Sequence, residues 1–62
     1  MKSSELYRIL LRDGWYPISQ RGLHVKLKHD IKQGILIFPD HGSRELGKGL
    51  ERKILKDAGI DL

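Results

Sequence analysis

Residues 20–30, QRGLHVKLKHD, decide the fold. From His24 to His29 the apolar Val25 and Leu27 alternate with His24, Lys26 and Lys28, which is the two-residue period of a strand with one buried and one wet face. The Arg21-Gly22 pair ahead of it reads as a turn. WYPISQ (15–20), rich in aromatic and β-branched residues, reads as the strand before that turn, so the two runs form a hairpin. Pro17 has no N–H for a ladder, which places the first strand at an edge or distorts it.

Working outward, DIKQG (30–34) makes a second turn, and GILIFP (34–39) is an apolar run too short for a helix, hence a more deeply buried third strand. DHGSRELGKG (40–49) is a polar loop. On the N-terminal side, Ser3 or Ser4 can cap a helix whose Leu6, Ile9 and Leu10 form one apolar stripe. Gly14 should end that helix, with Trp15 as the apolar contact of a Schellman-type stop. On the C-terminal side Leu50, Ile54 and Ala58 fall at four-residue spacing with Leu55 beside them, and Gly59-Ile60 repeats the stop. The expected fold class is α+β, in the order helix, strand, strand, strand, helix. A three-stranded antiparallel sheet would carry both helices on one face and leave the other open. With no repeat, low-complexity tract or linker, residues 1–62 read as a single domain.

A chain of 62 residues buries only about 60% of the surface that its unfolded form exposes, and with no cysteine there is neither a disulfide nor a thiolate metal site to supplement the core. Marginal stability follows, and a binding partner could add to it. MKSSELYRILLRDG has charges throughout, which argues against a signal peptide or membrane span and for a cytoplasmic location. Twelve Lys+Arg against eight Asp+Glu give +4. Residues 21–33 hold Arg21, Lys26, Lys28 and Lys32 against only Asp30, an imbalance that suits a polyanionic partner, although a solubilising face accounts for it equally.

If Val25 and Leu27 go to the core, His24 points outward with two ammonium groups as neighbours on its face. An imidazole in that place can accept a proton. Such a group suits RNA cleavage, taking the proton of a ribose 2′-hydroxyl while ammonium and guanidinium groups stabilise the charge that develops on the phosphorus centre. The plainer reading is an exposed histidine without a task. His29 falls on the Val25/Leu27 side, and His41 sits in a loop where a turn role is the default. Three scattered histidines make no ligand pattern, so no metal and no cofactor is expected. Gly47, Lys48 and Gly49 lack Walker spacing and read as a basic helix entrance. Trp15 and Tyr16 could stack on bases, yet packing is the commoner use of an aromatic in so small a core.

The ordered set of these features resembles the HicA family of bacterial toxins. SSELYRILLRDGW looks like the family's first helix and glycine-aromatic exit, RGLHVKLKH like its glycine-x-histidine strand, IFPDHGSREL like its proline-histidine segment and GKGLERKILKDAGI like its closing helix. The resemblance implies a double-stranded-RNA-binding-like fold and a ribosome-independent, mRNA-cleaving endoribonuclease. It maps the catalytic histidine onto His24, and it implies a HicB-type antitoxin that covers this residue, in a heterotetramer or larger complex. Leu23 departs from the family, which usually has serine there.

The resulting expectation is a metal-independent mRNA interferase with His24 as catalytic base. Arg21, Gly22, Lys26 and Lys28 would contact RNA, with Lys48 and Lys2 flanking. A non-catalytic RNA-binding module is the alternative, although Glu51 among Lys48, Arg52 and Lys53 dilutes the basic helix entrance on which duplex binders rely. A pure protein-interaction domain is a third reading, resting on exposure of Trp15 and Ile31.

Overall fold

In the computed structural model, which describes residues 1–61, the alternation at 24–29 becomes the central strand of an antiparallel sheet. The elements are α1 (Ser3–Asp13), β1 (Trp15–Arg21), β2 (His24–His29), β3 (Leu36–Pro39) and α2 (Lys48–Asp57), with strand order β1-β2-β3. Both helices pack on the face to which β2 directs Val25 and Leu27, giving the α+β fold that the sequence pattern implies. Leu6 and Leu10 of α1, Leu36 and Phe38 of β3, and Ile54 and Leu55 of α2 meet there. Phe38 is fully buried, a burial that stabilises by about 1.5–3 kcal/mol.

Pro17 acts as expected. β1 is an edge strand, and its register with β2 slips between Pro17 and Ser19, so Ile18 is the extra residue of a bulge. The hairpin turn lies one residue later than the Arg21-Gly22 reading: Arg21 pairs with His24, which leaves Gly22 and Leu23 as the two turn residues. Gly22 has φ +58°, the positive value that a type II′ turn requires at its first position.

Three other expectations are corrected. GILIFP is buried on one face only, with Leu36 and Phe38 inward and Ile35 and Ile37 exposed, because among the described residues no layer covers the outer face of this sheet. Leu50 is exposed and Leu46, in the loop, fills the core instead. Neither Ser3 nor Ser4 caps α1 through its side chain; Lys2 is the N-cap residue. The first N–H groups of α1 instead donate to the 40–44 loop, Ser3 to the Arg44 carbonyl and Ser4 to the Gly42 carbonyl. The buried Ser3 hydroxyl accepts from the His41 N–H and donates to the Pro39 carbonyl, so it ties the end of β3 to α1.

Both glycine-aromatic and glycine-apolar stops form. Gly14 at φ +108° closes α1. At the end of α2, Ile60 N–H donates to the Leu55 carbonyl and Gly59 N–H to the Lys56 carbonyl, the bond pair of a Schellman motif. Trp15 is buried, with its indole N–H donating to the Ala58 carbonyl, which removes the exposure that a protein-interaction reading needed; Ile31 is exposed. No helix among the described residues is long and apolar enough to cross a membrane.

Candidate functional site

Residues directly opposite in an antiparallel pair share a face, so the register arranges the open face of the sheet into cross-strand rows. The first row is Arg21–His24–Pro39, the second Ser19–Lys26–Ile37, and the third Tyr16–Lys28. A shallow depression of about 450 Å³ covers the first two rows, lined by Ser19, Gln20, Arg21, His24, Lys26 and Ile37. The turn residues hold it in shape: the Gln20 amide donates to the Gly22 carbonyl at 3.0 Å, and Asp40 N–H donates to the Leu23 carbonyl at 2.7 Å.

His24 is exposed, and its ring has no hydrogen-bond partner among the described residues. Arg21, Lys26 and Lys28 take part in no ion pair among those residues, in contrast to Lys32 and Lys53, which are bound to Asp13 and Asp57. Three uncommitted cations and an uncommitted imidazole therefore share one face. A guanidinium one strand away from an imidazole can hold a phosphate through two N–H groups while the imidazole nitrogen accepts a proton.

The sequence-predicted residues divide. Arg21, His24 and Lys26 are brought together in the depression, and Lys28 continues the same face one row beyond it. Gly22 contributes conformation: nothing stands within 4 Å of where its side chain would begin, so its role is to turn the chain and not to admit a close neighbour. Lys48 heads α2 and does not line the depression, and Lys2 pairs with Glu45 across an isolated bridge. Ser19, Gln20 and Ile37 were missed from sequence. Their positions follow from the Ile18 bulge and the β2–β3 register, which only pairing reveals.

At the other end of β2, the His29 side chain is 7% exposed and both ring nitrogens are engaged. Nδ1 accepts from the N–H groups of Ile31 (3.0 Å) and Lys32 (3.1 Å), which leaves Nε2 carrying the proton that it donates to the Asp13 carbonyl at 2.6 Å. Lys32 Nζ then donates to Asp13 Oδ2 and to the carbonyls of Ala58 and Gly59, joining the C-terminal ends of both helices.

The description "HicA toxin of bacterial toxin-antitoxin" belongs to the family whose model matches residues 3–60. The chain belongs to the HicA toxin family. A curated relative, the "Probable mRNA interferase HicA" of Pseudomonas fluorescens (strain Pf0-1), is 38% identical over 60 residues, covering 97% of each chain. The HicA match takes in every element from α1 to the Gly59-Ile60 stop, so the hairpin that carries Arg21, His24 and Lys26 lies inside the family's span.

Proposed function

We propose that this HicA-family chain is the mRNA-cleaving toxin of a toxin–antitoxin pair and that His24 is its general base. One observation carries the reading: an exposed, uncommitted imidazole shares a depression with Arg21 and Lys26 on an open sheet face. The relative named as a probable mRNA interferase supports RNA as the substrate.

In the proposed reaction the His24 imidazole takes the proton of a ribose 2′-hydroxyl. The 2′-oxygen attacks the adjacent phosphorus, the bond to the 5′-oxygen of the next nucleotide breaks, and that oxygen takes a proton from water, yielding a 2′,3′-cyclic phosphate and a free 5′-hydroxyl. Arg21, in the same row as His24, neutralises the charge that builds on the non-bridging oxygens, and Lys26 and Lys28 hold the strand one and two rows further along. The nucleophile belongs to the substrate, so the chemistry needs no metal. Positioned base catalysis contributes about 10²–10⁴-fold.

A HicB-type antitoxin fits the same face. Leu23 (54% exposed) and Ile37 (45% exposed) flank His24 with apolar surface beside cations, a combination that an acidic partner with apolar anchors would cover.

Purified protein incubated with single-stranded RNA in EDTA tests the reading. Wild type should cleave to cyclic-phosphate ends, and His24→Ala should lose about 10²–10⁴-fold while staying folded. Equal cleavage by the two proteins overturns the assignment. Salt-dependent RNA binding with cleavage by neither protein would favour a binding module instead.

A further inference from the structure

Of the four aromatic side chains, Trp15 and Phe38 are buried and Tyr7 is partly buried against Phe38, whereas Tyr16 is 40% exposed. Its direction is set by the strand: Trp15 pairs with His29 on the inner face, so Tyr16, one residue on, pairs with Lys28 on the open face. The adjacent Trp15 needs its ring for an edge contact with His29 and for the Ala58 carbonyl, while Tyr16 has no such task in the core. Burial by its neighbours, then the Asp30 carboxylate, hold its hydroxyl above the ordinary tyrosine range, so it stays a neutral phenol at physiological pH.

Along β2 the open face presents His24, Lys26 and Lys28 in successive rows, each about 6.6 Å from the next. That repeat is close to the separation of successive phosphates in an extended single strand. A chain laid along β2 with its scissile phosphate at His24 therefore sets later phosphates over Lys26 and Lys28, and the base beside Lys28 meets the Tyr16 ring.

We propose that Tyr16 is a base-stacking subsite for single-stranded RNA, placed two nucleotides from the bond cleaved at His24. The inference rests on the nuclease reading for its origin at His24, and it narrows the substrate to unpaired RNA, because a base inside a duplex offers no free face to an aromatic ring. Stacking tolerates every base, so the subsite favours an unpaired nucleotide at that position more than any one sequence.

Binding of a short single-stranded deoxyoligonucleotide, followed by fluorescence anisotropy, tests this without cleavage, since the probe has no 2′-hydroxyl. Tyr16→Ala should weaken binding about tenfold or more, and Tyr16→Phe should stay within about twofold of wild type. Replacing one nucleotide at a time by an abasic residue should reveal one position at which wild type and Tyr16→Ala bind alike, which a purely structural role would not produce. If Tyr16→Ala fails to fold, Tyr16→Thr keeps a strand-forming residue and serves in its place. Unchanged affinity on loss of the ring, or a ratio that no abasic position alters, overturns the proposal. Loss of cleavage activity is scored separately on a ribo-oligonucleotide with His24→Ala, so failure of the nuclease reading and failure of the subsite give different results.

Discussion

His24 and His29 sit five residues apart on one strand, and the odd spacing sends them to opposite faces. His29 is packed among Trp15, Asp13 and the turn at Ile31–Lys32, with each ring nitrogen in a hydrogen bond. His24 is exposed with neither nitrogen committed among the described residues. A histidine whose lone pair and proton are both engaged holds a fold together and has nothing left for a substrate. The same residue type with both unengaged costs the fold nothing to keep, and it is available for proton transfer. The two ends of β2 thus separate stability from chemistry.

Exchanging the two substitutions should make that separation measurable. His24→Ala leaves stability within about 0.5 kcal/mol, as for an exposed site without partners, while cleavage falls by the orders of magnitude given above. His29→Ala should do the reverse, lowering stability by about 2–4 kcal/mol through a cavity and three unpaired backbone groups. In so small a domain each kcal/mol moves the melting temperature by about 4–8 °C, so the variant should melt roughly 8–32 °C lower in a calorimeter. Its cleavage per folded molecule, measured in the cold, should match wild type. A His29→Ala protein that keeps its melting temperature but loses cleavage would reverse the assignment of the two histidines.

Lys32 belongs with His29, since its ammonium bonds Asp13 and the Ala58 and Gly59 carbonyls just past the end of α2, where a cation also complements the helix dipole. Lys32→Met keeps the apolar stem and removes the three bonds. The side chain is about one-third exposed, so screening trims the effect to roughly 1 kcal/mol. It should appear as a lower urea midpoint at unchanged m-value and at unchanged cleavage per folded molecule.

How far these roles could be seen in the sequence depends on the range of the contact. The face of His24 was legible because a two-residue period is local, and so were the Gly14 and Gly59 stops, whose bonds close within one turn. The Lys32 bonds to Asp13 and Ala58 were not, since nothing near Lys32 announces partners on two helices far away in sequence. Ile35 and Ile37 misled for a different reason: hydrophobicity indicates a preference for burial, whereas burial on both faces requires a second layer that this sheet lacks. The hairpin turn was misplaced by one residue because Arg21 belongs to the strand, where it pairs with His24. That pairing puts Leu23 at the second turn position, directly beside His24.

Leu23 therefore tests the chemical end of β2 most gently. The turn depends on the φ of Gly22 and on the Leu23 carbonyl, which accepts the Asp40 N–H; neither needs the leucine side chain, which is over half exposed. Leu23→Ser should therefore leave the melting temperature unchanged. The new hydroxyl next to His24 can donate to a phosphate oxygen, and one such bond is worth about 0.5–1.5 kcal/mol, or roughly two- to tenfold in kcat/KM. A single-turnover assay on single-stranded RNA should show that gain in the variant with no change in its melting curve. A fall in cleavage would mean instead that the leucine side chain itself touches the RNA, and it would extend the substrate surface from the depression onto the tip of the hairpin.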